Sequence, residues 1–193
     1  PSIKIEEVKK MKSEVVLVGD NFDESLDSAL KFCKKHKLPF IHPFDDPEVI
    51  SGQGTIGKEI IEDFQEKIDV IFVAVGGGGL ISGLGAYIKS FNPKIKIVAV
   101  EAEDAAGLYK SLEIGKRIKL DKVGLFADGA AAKQIGLNNY QLIKEWLDDS
   151  ITVSTDEICA AVKDTFAETR TVPEPTGALA LAGLKKYLSL IHI

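Results

Sequence analysis

The stretch that decides the fold is residues 70–90, VIFVAVGGGGLISGLGAYIKS. An apolar, mostly β-branched run stops abruptly at four consecutive glycines. The run is continuous rather than alternating, as expected of a central parallel strand covered on both faces. The amphipathic segment that follows at once reads as a helix over about 80–90. Strand, glycine turn and helix together open a βα unit, and such units build parallel sheets.

The same alternation extends outward in both directions. Upstream, residues 5–11 suggest a short helix and Glu14–Val18 a strand. Asn21 or Asp23 can cap a helix over 24–36, where Leu26, Ala29, Leu30 and Cys33 recur at helical spacing. Pro39–His42 reads as a second strand, and HPFDDPEVISGQGT as a turn-rich joint between two lobes, ahead of a helix over 56–66. Downstream, Asn92-Pro93 turns the chain into a strand at 95–100 that ends in Glu101. Helices follow at 104–113 and 136–147, separated by the glycine-punctuated loop GLFADG at 124–129, and Trp146 is expected to be packed. A strand at 151–153 leads through a cap at 154–156 into a helix over 156–169, and PEPTG at 173–177 starts a last helix over 176–187. The predicted fold class is α/β, a parallel sheet with helices on both faces.

The totals bound the function. The chain has 193 residues and a net charge of −5. That length supports one or two domains with a real core. The negative charge, and the lack of a basic stripe with interleaved aromatics, argue against nucleic acid as a partner. No apolar run reaches the ~20 residues of a membrane helix. The two cysteines, Cys33 and Cys159, are far apart and in no metal-like spacing, which predicts buried thiols in a reducing, cytoplasmic setting. The three histidines form no cluster in the sequence.

Glycines between a parallel strand and a helix build an anion site. The first amides of a helix lack internal partners, its dipole is positive there, and consecutive N–H groups can wrap a phosphate. Ligands of open α/β sheets also sit beyond the carboxyl ends of the strands. A dinucleotide fingerprint needs glycine at i, i+2 and i+5, but the last place falls on Ile81 counted from Gly76, and on Ser82 counted from Gly77. No lysine followed by Ser or Thr closes the loop, so it is not a nucleotide-triphosphate loop. Glu101 lies about where a ribose-binding acid would lie, which keeps a nicotinamide-dependent oxidoreductase as an alternative. The loop fits a single phosphate monoester better, such as that of pyridoxal phosphate or a flavin mononucleotide.

Four motifs extend this reading. VGGGGL at 75–80, AVEAED at 99–104, GLFADG at 124–129 and PEPTGALALAGLKKY at 173–187 occur in one order, with NFDES at 21–25 and SGQGT at 51–55. Together they resemble the biosynthetic threonine dehydratases, members of the fold-type II pyridoxal-phosphate enzymes, over residues 1 to about 187. The resemblance implies pyridoxal 5'-phosphate as cofactor and dehydration and deamination of L-threonine to 2-oxobutanoate and ammonia, in isoleucine biosynthesis. It implies that Gly76, Gly77, Gly78, Gly79 and Leu80 bind the cofactor phosphate, that Glu174 and its neighbours through Gly177 approach the ring, and that Gly129 helps wall the site. In relatives that bind a divalent metal, Glu101 matches one carboxylate ligand, but the second falls on Gly107; no metal is expected here. Residues 1–42 would be a remnant of the smaller, substrate-closing domain and 43–187 most of the larger, cofactor-binding domain.

The resemblance also marks what is absent. Relatives carry the Schiff-base lysine in a Ser-x-Lys-x-Arg-Gly motif upstream of the glycine loop, and no such motif occurs here. No catalytic residue is therefore expected in this chain, and Lys133 does not match that lysine. The fold is expected to be incomplete at both ends, with sheet edges left uncovered, and the complete enzyme to be a homo-oligomer, a tetramer as in relatives. Residues 188–193, LSLIHI, also read as one translation frame of a transposase mosaic-end adapter, so a non-native tail is expected there. A serine dehydratase or another lyase of the same fold is the alternative on substrate. A non-catalytic phosphate-binding module is the alternative of another class.

Overall fold

The computed structural model describes residues 2–64 and 68–191. It comprises two compact units, Pro1–Phe40 and Ile41–Ile193. The first holds helices α1 (Ser2–Lys10) and α2 (Phe22–His36). Asn21 caps α2 from extended backbone, its side-chain oxygen accepting from the Glu24 amide at 3.1 Å. Lys37, at φ 55°, ends the helix and donates its amide to the Cys33 carbonyl. Cys33 is half-buried and Cys159 exposed, so neither is the fully buried thiol expected.

The strands expected at Glu14–Val18 and Pro39–His42 do not form. Both stretches have the composition of strands, but no described strand lies alongside either to complete a ladder, and Val16, Leu17 and Ile41 are exposed. A strand is stabilised by its neighbours more than by its own residues.

The second unit runs α3 (Pro47–Phe64), β1 (Val70–Ala74), α4 (Gly79–Phe91), β2 (Lys96–Ala102), α5 (Gly107–Ile114), α6 (Leu137–Trp146), β3 (Asp149–Val153), α7 (Thr155–Thr169) and α8 (Pro175–Ile191), with single 3-10 turns at Glu103–Ala105 and Asp128–Ala130. Its three strands are parallel, in the order β1-β2-β3. Val70 pairs with Lys96 and Ala74 with Val100, while Val98 pairs with Asp149 and Ala102 with Val153. Side chains alternate across the sheet as strand geometry requires. Val73, Ile97 and Ala99 join Ile81, Leu84 and Ile88 of α4 and Ile143 of α6 in one core. Val100, Ala102 and Val153 join Ile158 and Ala161 of α7 and Ala178, Leu179 and Ala182 of α8 in the other. Helices therefore cover both faces of a parallel sheet, as the sequence predicts.

The turn-rich reading of HPFDDPEVISGQGT is corrected. Helix starts at Pro47 and absorbs SGQGT. Asp46 accepts from the amides of Glu48 and Val49 at 2.9 and 3.4 Å, and a proline in the first turn loses no hydrogen bond. The glycines serve close helix crossing: a Cβ on Gly57 would lie 3.0 Å from the Leu84 carbonyl oxygen, and one on Gly83 would lie 2.8 Å from the Gly54 nitrogen. The last helix also runs on through residues 188–191.

Candidate cofactor-phosphate site

The tetraglycine turn leaves the carboxyl end of β1. The Val75 amide makes the last contact with the sheet, donating to the Val100 carbonyl at 2.9 Å. Gly78 then takes φ +95°, a left-handed conformation open to glycine, and α4 begins at Gly79. The first intrahelical bond is Ser82 N–H to the Gly78 carbonyl, 3.0 Å, so the amides of Gly79, Leu80 and Ile81 precede the helical ladder. Among the described residues, no protein acceptor takes the amides of Gly76, Gly77 or Gly78. The turn thus offers a run of N–H donors at the positive end of a helix dipole, an arrangement that binds anions.

The other side of the turn is filled by protein. A Cβ on Gly76 would sit 2.8 Å from Ala130 Cα, and one on Gly79 would sit 2.9 Å from the Phe44 carbonyl oxygen. Phe44 places its ring against Gly77. The glycines are thus required by packing as well as by any ligand, a reason the sequence alone does not reveal.

Beneath the turn lies a polar clamp. The Gly77 carbonyl accepts from the Gly136 amide at 3.0 Å and from Asn139 Nδ2 at 2.9 Å. Asn139 Nδ2 also donates to the Phe44 carbonyl at 2.7 Å. Asp45 receives the amides of Leu137 (2.8 Å) and Asn139 (3.2 Å), which places a carboxylate on the first turn of α6. Neither Asp45 nor Asn139 carries a local sequence signal, because the partners of their side chains lie 62 to 95 residues away.

The other predicted residues gather at the same edge of the sheet. Ala130, which covers Gly76, follows Gly129 directly. A Cβ on Gly129 would lie 3.0 Å from Thr176 Oγ1 and 3.2 Å from Glu174 Oε1, so Gly129 and Glu174 adjoin each other. Thr176 Oγ1 is buried with no hydrogen-bond partner among the described residues. The arrangement fits a phosphate on the turn, with the 129–130 loop and the start of α8 beside it.

Glu101 is fully buried, and its two oxygens accept the amides of Leu108 at 2.9 Å and Tyr109 at 2.7 Å. It caps α5, a use the sequence reading did not foresee. Burial pushes its carboxyl up to about 7, against the opposing pull of the amide hydrogen bonds. Gly107 opens α5 beside it. No group of three metal-binding side chains gathers among the described residues, and no helix there is long and apolar enough to cross a membrane.

A family model described as pyridoxal-phosphate dependent enzyme matches residues 1–192. The chain is 48% identical over 190 residues to the biosynthetic L-threonine dehydratase IlvA of Burkholderia multivorans, covering 97% of this chain and 38% of that protein. It is 48% identical over 194 residues to the mitochondrial threonine dehydratase of Saccharomyces cerevisiae, covering 100% of this chain and 34% of that protein. Among solved structures, the processed form of threonine deaminase isoform 2 from Solanum lycopersicum superposes with a TM-score of 0.94 at 42% identity, covering 100% of this chain and 53% of that one. A serine racemase from Dictyostelium discoideum gives 0.81 at 35% identity, over 94% of this chain and 58% of that one. The chain thus spans little more than a third of the length of these two curated relatives.

Proposed function

The chain belongs to the pyridoxal-phosphate dependent enzyme family, and from that premise we propose that it forms the cofactor-phosphate part of a biosynthetic threonine dehydratase. The observation that carries the proposal is the tetraglycine turn, whose amides stand beyond the carboxyl end of β1 with no acceptor among the described residues. Pyridoxal phosphate, when bound, supplies the electron sink that makes loss of the substrate α-proton possible. The chain's own part is to bind and orient. The amides of Gly76 to Leu80 would hold the phosphate, with the α4 dipole adding to the attraction. Gly129 and Glu174 would lie along the ring, where a glycine admits close approach. Thr176 Oγ1, buried and without a partner among the described residues, is available to donate a hydrogen bond there.

The overall reaction is L-threonine to 2-oxobutanoate and ammonia, the water lost in dehydration returning on hydrolysis. The chain contains no Ser-x-Lys-x-Arg-Gly motif, so the lysine that carries the cofactor is proposed to lie outside these residues, and the chain to be inactive alone. The complete enzyme is proposed to be a cytoplasmic homo-oligomer.

The test is to express the gene at its full extent with pyridoxal phosphate and to assay both products. Release of 2-oxobutanoate from L-threonine, absent from the 193-residue chain, is the expected result. Pyruvate from L-serine with no turnover of threonine would overturn the substrate and keep the family. Failure on both amino acids would overturn the function.

A further inference from the structure

We propose that Asn139 is a positioning residue that sets the Gly77–Gly78 peptide so that the Gly78 amide faces the cofactor phosphate. This rests on the phosphate-site reading above.

No peptide bond in the described chain is cis. In a trans peptide, the carbonyl of one residue and the N–H of the next point in opposite directions. The Gly77 carbonyl is drawn toward α6 by two donors, the Gly136 amide and Asn139 Nδ2. The Gly78 N–H is therefore turned away from α6, toward the side where the free amides of the turn lie. Without a clamp, this peptide could flip at little steric cost, because both flanking residues are glycine. A flip would exchange donor for acceptor and aim a carbonyl oxygen at the phosphate.

Asn139 is itself held rigidly. It is completely buried, its second Nδ2 hydrogen goes to the Phe44 carbonyl, and its own amide goes to Asp45. Its Cβ would lie 2.9 Å from a Cβ placed on Gly78, so it packs directly under the turn. Its Oδ1 is left buried with no partner among the described residues. An unpaired buried acceptor carries a desolvation cost, which a leucine of similar size would avoid. The two amide hydrogens are what a leucine could not supply.

Two measurements test this on the enzyme expressed from the gene at its full extent. The first needs no ligand. 15N relaxation at Gly78 should give an order parameter near the rigid value of about 0.85, falling below about 0.6 in Asn139→Leu. A mobile Gly78 in the unaltered chain, or an unchanged value in the variant, overturns the clamp. The second is titration with pyridoxal phosphate, followed by amide shifts of residues 76–81 and by phosphorus NMR. The unaltered chain should shift Gly78 together with Gly79 and Leu80. Asn139→Leu and Asn139→Asp should weaken binding about tenfold and lose the Gly78 shift. Ile143→Val trims the buried core face of the same helix and should bind as the unaltered chain does. Variants that bind within twofold of the parent, with the Gly78 shift intact, overturn the proposal while the phosphate site stands. No response at any of residues 76–81 in the unaltered chain overturns the site itself, and the proposal with it.

Discussion

Glu101 ends β2 with both oxygens on the first amides of α5 and no contact with water. Its carboxyl, raised from 4.5 to about 7 by burial, keeps its proton in the folded chain over a range where the unfolded chain has released it. The folded state therefore binds more protons between those values, and stability falls as pH rises from about 4.5 through 7. The full loss across that window is about 3 kcal/mol. Denaturant midpoints measured from pH 5 to 8 should decline, and Glu101→Gln should flatten the decline. A variant that keeps the parent's slope would refute the assignment. Residue identity made this position visible in the sequence as a strand-ending acid, but not its use. The two amides it serves lie 7 and 8 residues downstream, behind a 3-10 turn that the sequence read as part of a helix.

At the scale of elements, the crossing of α3 and α4 decides more than either helix does alone. Gly83 faces the backbone of α3, where a Cβ would meet the Gly54 nitrogen at 2.8 Å and Gln53 Cβ at 2.9 Å. Backbone cannot yield as a side-chain tip can, so Gly83→Ala should cost about 3 kcal/mol. Gly52 lies on the same helix with nothing within 4 Å of its Cβ position. There Gly→Ala should stabilise by about 0.5–1 kcal/mol, through the unfolded chain. Thermal unfolding of the two variants reads the contrast directly; equal effects would refute it. The helices and strands that pack into the two cores were legible from periodicity, and so was the glycine turn between β1 and α4. SGQGT was not, because a glycine that permits a close crossing has the same letter as one that breaks a helix. The spacing of Gly54 and Gly57, with Asp46-Pro47 ahead of them, was the available signal. The strands expected near Val16 and Ile41 failed for the opposite reason: their residues suit a sheet, but pairing is a property of neighbours.

At the scale of the whole molecule, the two units differ sharply in burial. Neither α1 nor α2 has a buried residue, whereas the second unit holds both cores. Local opening should therefore be cheap before residue 41 and costly after it. Limited trypsin digestion should cut first after Lys12 or Lys37, and the resistant product should begin at Leu38. Early cleavage at Lys96, within β2, would refute this ranking. The site follows the same division of labour. Every residue assigned to the phosphate or to its support, from Phe44 to Thr176, lies in the second unit.

The strand order carries a consequence for how the protein is made. Each strand joins the one completed just before it, so the sheet grows along one edge in the direction of synthesis. Among the described strands, β1 is made first, β2 can be laid on it, and β3 on β2. None of these three described strands has to be inserted between the other two after they have paired. Nascent chains stalled after α5 has emerged should already protect the amides of β2 that bond to β1 from hydrogen exchange. Protection that appears only once β3 has emerged would show that the sheet waits for its last strand.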